Sequence, residues 1–186
     1  MPWRRMTVVS AIGLLSLPTP ALTYDFGRPA TAEEIQLWNI DVRPDGNGLP
    51  DGIGTVAHGK DVYRDNCEAC HGPRGQGGIN DRLVGGQGTL ASDNPIKTVG
   101  SYWPYAPTVF DYIHRAMPYP APGSLSAGDT YAVVAYILNL NGLLPDDGKL
   151  DKETLPKIEM PNRDGFIPDP VFKLDDEEPT KPRYAP

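Results

Sequence analysis

The sequence contains few of the residues that usually form disulfide bonds or hold metal ions. Its 186 residues include two cysteines and three histidines. A structural zinc site needs about four nitrogen or sulfur ligands, and His58 and His114 do not form a second ligand pair beside the cysteines. A zinc site is therefore excluded, and a framework of several disulfide bonds is excluded as well.

Positive charge and long apolar runs are also scarce. The chain has 17 lysines and arginines against 24 aspartates and glutamates, which gives a net charge of −7. Nucleic-acid binding needs clustered basic residues, so it is excluded as a function. An acidic surface does permit docking on a basic patch of another protein. The most apolar run, residues 8–17, is too short to cross a bilayer, which takes about 20 residues.

The N-terminus has the pattern of a secretory signal. Arg4 and Arg5 precede the apolar run, and the small residues of Thr19-Pro20-Ala21 follow it. This order of basic, apolar and small residues is typical of a signal peptide that is removed on export. The pattern predicts that residues 1–21 are a signal peptide and that the mature protein is periplasmic. An uncleaved membrane anchor is the alternative interpretation.

The two cysteines belong to one motif, Cys67-Glu68-Ala69-Cys70-His71. C-x-x-C-H is the attachment motif of c-type haem. On a helical turn Cys67, Cys70 and His71 face the same way, so both thiols can add to the vinyl groups of one porphyrin. The imidazole then lies under the iron as the proximal ligand. The alternative, a thioredoxin-like dithiol, would sit in a βαβ pattern, which the sequence does not show.

Composition divides the mature chain into three parts. Residues 22–53 are a loop-rich N-terminal extension, in which a capping box from Thr31 to Glu34 predicts a short helix reaching about Asn39. Residues 54–145 contain the motif and the apolar periodic segments, so they are the predicted haem domain. Residues 146–186 are polar and proline-rich, which predicts a C-terminal extension that ends in an acidic disordered tail from Asp175.

Three core helices are predicted around the motif. The first covers residues 56–66, and Gly59 on it leaves room for close approach of another helix beside Tyr63. The second begins near Pro107 and covers about residues 108–116. The third follows a cap at Ser126, is apolar nearly all round from residues 131–140, and is expected to cross the first helix.

Met117 is the predicted sixth ligand of the haem iron. It ends the second helix, and Pro118 after it fixes the backbone so that the thioether can project from a rigid loop. Methionine with histidine raises the reduction potential of a haem, which suits an electron carrier in an oxidising compartment. The alternatives are His114, one helical turn earlier, Met160 in the C-terminal extension, or an open iron position. His58 is predicted to be a surface histidine.

These features together resemble the class I cytochrome c family. The resemblance covers about residues 54–142 and rests on Gly59-x-x-x-Tyr63, the C-x-x-C-H motif, Met117-Pro118 and the terminal helix. It implies an all-α fold of three to five helices around one covalent haem c. It also implies that one haem edge is exposed for electron exchange.

Four further segments are similar to the cytochrome subunit of the periplasmic Sox sulfur-oxidation system. They are ATAEEI at residues 30–35, IDVRPDG at 40–46, TVGSYWPYA at 98–106 and MPNRDGF at 160–166. The fuller members of that family carry two haem motifs, and this sequence has one. The resemblance implies a partner, a SoxC-like molybdenum dehydrogenase that oxidises sulfite or protein-bound sulfane. Electrons would leave towards a soluble cytochrome or an oxidase.

The sequence favours an electron-transfer subunit over an enzyme with a reactive haem. An enzyme of that kind needs an open or labile iron position with an acid or base beside it. Met117 argues against the open position, and His114 is the one nearby candidate base. A general electron carrier for another periplasmic dehydrogenase is the remaining alternative.

Overall fold

The computed structural model describes residues 27–167. The predicted signal peptide and the acidic tail from Asp175 lie outside the described residues. Within that part of the chain there are five α-helices, two short strands and one 3-10 helix. They are α1 (Ala32–Trp38), β1 (Ile53–Thr55), α2 (Val56–Asn66), α3 (Glu68–His71), α4 (Ala106–Ala116), α5 (Ala127–Leu140), β2 (Lys149–Asp151) and the 3-10 helix Leu155–Lys157. The predicted all-α class is confirmed, with a small sheet added.

Residues 27–37, which include most of α1, belong to a different unit from the rest of the described chain. The capping box that the sequence predicted is present at the start of this helix. The backbone N–H of Glu34 donates to Thr31 Oγ1 at 3.2 Å, and the N–H of Thr31 donates to Glu34 Oε2 at 2.9 Å. None of the residues of α1 is buried, so these capping bonds are the contacts that define its beginning.

The second unit, from Trp38 onwards, is built on the crossing of α2 and α5. A Cβ atom at Gly59 would overlap the carbonyl oxygen of Ala132, so the two backbones meet at the glycine. The predicted crossing is therefore present. Helix α5 begins at Ser126, whose hydroxyl accepts the N–H of Asp129 at 3.1 Å. Eight of its residues are buried, because other elements cover it on most sides.

The C-terminal extension is packed into the same core. Strand β2 pairs antiparallel with β1, with Leu150 opposite Gly54. A Cβ atom at Gly54 would overlap the backbone of Ala132, so β1 lies directly against α5. Leu150, Leu155 and Met160 are buried in the hydrophobic core. These three positions show no helical or strand periodicity, so their burial did not follow from the sequence pattern.

Helix α4 starts one residue earlier than Pro107, which therefore occupies its second position. The helix ends at Met117, whose φ of −124° and ψ of 147° are extended. Proline disfavours the α conformation of the residue before it, as the sequence predicted. The N–H of Val42 donates to Asp111 Oδ1 at 2.8 Å, which ties the loop between α1 and β1 to α4. Within residues 27–167 no helix is long and apolar enough to span a membrane.

Candidate haem site

The C-x-x-C-H motif forms a single helical turn directly after α2. Cys67 ends α2 and caps the four-residue helix α3. The N–H groups of Cys70 and His71 both donate to the carbonyl oxygen of Cys67, at 3.1 and 3.0 Å. The two thiols are free and half-buried. The turn has the compact geometry that the spacing of the motif predicted.

The imidazole of His71 is oriented by the backbone beyond the motif. Its Nδ1 lies 2.7 Å from the carbonyl oxygen of Asp81. A carbonyl oxygen can only accept, so Nδ1 carries the hydrogen and donates it. Nε2 therefore keeps its lone pair, which is the form of histidine that binds a metal ion. This bond identifies Nε2 as the atom of His71 that is available to iron.

The loop after the motif folds back onto it. The N–H of Gly77 donates to the carbonyl of His71 at 2.9 Å, and the N–H of Asn80 donates to the carbonyl of Cys70 at 3.0 Å. Gly72 begins this loop with φ of +81°, a conformation that favours glycine. The buried hydroxyl of Tyr63 donates to the carbonyl of Gly72 at 2.8 Å. Helix α2 therefore fixes both ends of the motif.

The three candidates for the sixth ligand lie in different surroundings. Met117 is half-buried at the end of α4 and packs against the same core as Cys67. His114 stacks on Phe110 with ring centroids 5.5 Å apart, and its buried Nδ1 has no hydrogen-bond partner among residues 27–167. Met160 is a core residue, 3% exposed.

The donor set fits a covalent haem. Two thiols lie on one turn, an imidazole presents its Nε2, and a partly exposed thioether lies at the end of α4. His58 is engaged elsewhere, because its Nε2 lies 2.7 Å from Asp129 Oδ1 at the surface. It is a surface residue, as the sequence predicted.

Comparison with known proteins agrees with this geometry. The family model described as cytochrome c matches residues 56–141. A chain of the crystal structure of the sulfane dehydrogenase SoxCD from Paracoccus pantotrophus is 43% identical to this chain, with a TM-score of 0.75. The match covers 87% of this chain and 82% of that one. The chain belongs to the cytochrome c family. No match was found among curated proteins.

Membership of the family settles the cofactor and the general role of this protein. A cytochrome c carries a covalently attached haem c, and the single C-x-x-C-H motif of this cytochrome is consistent with one such group. The protein is an electron carrier, and its match to SoxCD is consistent with a role related to sulfur oxidation. The predictions of the fold and of covalent haem c are thereby confirmed.

The electrostatics of the motif argue against a redox dithiol. Burial, and secondarily the neighbouring Cys70, raise the pKa of the Cys67 thiol in this cytochrome to about 11. Reactive dithiols have a cysteine whose pKa is lowered, because the thiolate is the attacking species.

Sequence reasoning missed one residue that shapes the site of this cytochrome. Asn141, at the end of α5, lies beside the loop that follows Asp81. Its Nδ2 donates to the carbonyl of Leu83 at 3.2 Å, and its Oδ1 accepts the N–H of Gly85 at 3.1 Å. An asparagine after an apolar helix is ordinarily a helix end signal, so nothing in the sequence marked it as a long-range contact.

Proposed function

We propose that Cys67 and Cys70 bind the haem through thioether bonds and that His71 Nε2 and Met117 Sδ are its axial ligands. When bound, the haem supplies one-electron chemistry between ferric and ferrous iron. The bond between His71 Nδ1 and the Asp81 carbonyl supports this assignment, since ligating histidines generally donate their second ring N–H to such an acceptor. Two protein ligands leave no iron position for a substrate, so this chain transfers electrons and the substrate chemistry takes place in a partner.

We further propose that the electron donor is a SoxC-like molybdenum dehydrogenase that oxidises sulfite or protein-bound sulfane. The observation that carries this proposal is the extent of the match to SoxCD. It covers 87% of this chain, whereas the cytochrome c family model covers residues 56–141. The similarity therefore includes segments outside the haem domain, and general electron carriage does not require those segments to be alike.

We also propose a periplasmic location for the protein and an onward electron acceptor. Covalent haem attachment and the predicted signal peptide at residues 1–21 both support a periplasmic protein. A soluble cytochrome or an oxidase would take the electron onward. The excess of acidic over basic residues in the chain favours a basic docking patch on one of the two partners, and association with that partner should weaken as salt is added.

Stopped-flow reduction of the purified, oxidised holo-protein tests the donor. With sulfite or thiosulfate alone the haem should stay oxidised, and it should be reduced rapidly once the SoxC-like dehydrogenase is added with its substrate. An unrelated periplasmic dehydrogenase with its own substrate is the control. Rapid reduction by substrate without a partner would favour a reactive haem, and equal rates with both dehydrogenases would favour a general carrier.

Acid extraction into an organic solvent tests the attachment. The haem should remain with the denatured mature polypeptide, because thioether bonds survive this treatment. Cys67→Ala and Cys70→Ala should each leave one bond, and the double variant should release its haem into the organic layer. Free haem from the wild-type protein would contradict the assignment of both cysteines.

A further inference from the structure

The side chain of Asn141 joins the end of α5 to a loop far away in sequence. Its Nδ2 donates to the carbonyls of Leu83 and Ile137, and its Oδ1 accepts the N–H of Gly85. The residue is 9% exposed. Gln87 Nε2 also donates to Oδ1, at 3.4 Å. A buried amide with four hydrogen bonds is rigidly held, because loss of one partner leaves a polar group without compensation.

The surrounding backbone packs closely against this amide. A Cβ atom at Gly100 would overlap Asn141 Oδ1, so the chain passes the amide without a side chain. Gly85 has φ of +92°, a backbone conformation that favours glycine. In this conformation its N–H donates to Asn141 Oδ1. Thr98 donates from its hydroxyl to the carbonyl of Gly85 at 2.5 Å. The segment around Gly85 is therefore fixed from two sides.

This segment also holds the proximal histidine. Asp81, whose carbonyl accepts the His71 ring N–H at 2.7 Å, lies two residues before Leu83. The N–H of Leu83 donates to the carbonyl of Gly75 at 2.8 Å, and Gly75 lies in the loop after the motif. Asn141 and the backbone of Gly75 therefore both bond Leu83, which lies two residues along the chain from the carbonyl that accepts from His71.

We propose that Asn141 is a positioning residue for His71. It fixes the segment from Asp81 to Gly85 so that the Asp81 carbonyl stays in line with the ring N–H. That bond sets the orientation of the imidazole and raises its basicity, and a more basic ligand favours ferric iron. Asn141 thereby lowers the reduction potential from a distance. The inference rests on the proposed ligation by His71.

A neighbouring residue separates this role from ordinary capping of a helix end. Asn139 donates to the carbonyl of Leu144 at 3.0 Å and to Asp146 Oδ1 at 2.9 Å. Both partners lie within seven residues of Asn139 in the chain, so its side chain stabilises only the end of α5 and the turn after it. Asn141 shares that helix end and is of the same residue type, but its amide reaches the loop that holds His71. Asn139→Ala is therefore a matched control for Asn141→Ala.

The test compares the two variants as holo-proteins in two measurements. Asn141→Ala should raise the reduction potential, and it should speed solvent exchange of the His71 ring N–H in the reduced protein by at least about tenfold, as followed by NMR. Asn139→Ala should change neither quantity, although both variants lose stability. The sulfur-to-iron absorption band should persist in both, since the opposite side of the haem is untouched.

Asn141→Asp keeps the proposal testable if Asn141→Ala does not fold. It preserves the side-chain size and the bond from Gly85, and it removes the donor to Leu83, so faster ring exchange is again expected. Equal exchange rates and potentials in wild type and both Asn141 variants would overturn the proposal. A lowered potential with unchanged ring exchange would also overturn it, because water entry would then explain the effect. The ligation by His71 is tested separately, by hyperfine-shifted His71 signals in the oxidised wild type.

Discussion

Gly59 of α2 lies against the carbonyl oxygen of Ala132 in α5, so closely that a Cβ atom at residue 59 would overlap that oxygen. The contact brings together the helix that leads into the haem motif and the helix that contributes more core residues than any other element of the described chain. The position next to it is aromatic: Tyr63, one turn later, packs edge-on against Tyr136 of α5 with centroids 5.4 Å apart. A small residue and a large one therefore alternate along this crossing.

Gly59→Ala should destabilise the protein by about 3 kcal/mol or more, because overpacking against backbone forces the two helices apart. Chemical denaturation of the holo-protein measures the change. Gly128→Ala is the control, since a Cβ there meets its nearest atom at 3.4 Å. Alanine is the better helix former, so this second change should be neutral or slightly stabilising. Equal losses of stability in Gly59→Ala and Gly128→Ala would contradict the close crossing of α2 and α5.

Asp111 should make the stability of the protein depend on acidic pH. Its burial opposes ionisation, but the hydrogen bonds from Arg115 and from the N–H of Val42 outweigh this and hold its pKa below the ordinary 3.8. A lowered carboxyl pKa stabilises the fold above that ordinary value, and the contribution is lost as pH falls through the folded-state pKa. Asp111→Asn should lower the free energy of unfolding by about 1–3 kcal/mol at neutral pH. The difference in stability from the wild type should become smaller below pH 4.

Denaturation measured from pH 7 down to about pH 2 tests this dependence. Asp61→Asn is the matched control, because Asp61 pairs with Arg64 on the surface with a side chain 60% exposed. Such a pair contributes little, so the stability profile of this variant should follow the wild type. A constant difference between Asp111→Asn and wild type over the whole range would show that the Asp111 carboxylate does not titrate with folding.

The two methionines near the haem domain should respond differently to the same substitution. Met117→Ala should abolish the sulfur-to-iron band of the oxidised protein and lower the reduction potential, because a thioether favours ferrous iron. Met160→Ala should keep the band and cost about 2–5 kcal/mol of stability, because Met160 is buried in the core. Loss of the band in Met160→Ala would reassign the sixth ligand, and a bis-histidine spectrum in the wild type would assign it to His114.

The C-terminal extension should contribute to the stability of the haem domain. Leu155 is fully buried, so Leu155→Ala should destabilise the holo-protein by about 2–5 kcal/mol through lost burial and a cavity. Thermal or chemical denaturation followed through the haem absorption measures the loss. Ile167→Ala, at a position 86% exposed, should have no measurable effect. An unchanged denaturation midpoint in Leu155→Ala would show that the C-terminal extension folds separately from the haem domain.

Local patterns predicted much of the fold and of the site. The spacing of Cys67, Cys70 and His71 predicted one turn, and the structure has it. Met117 before Pro118 predicted the end of α4, and Ser126 predicted the beginning of α5. Each of these signals depends on residues a few positions apart, so the chemistry that produces them is present in the sequence itself.

The sequence therefore determined the cofactor chemistry, the helices and their caps, since covalent attachment and backbone hydrogen bonding act over one or two turns. Only the tertiary structure decided that Leu150, Leu155 and Met160 belong to the core. It also decided that Asn141 reaches Leu83 and that Asp81 holds His71. Burial and long-range hydrogen bonds depend on which segments meet when apolar area is removed from water, and no local spacing encodes that choice.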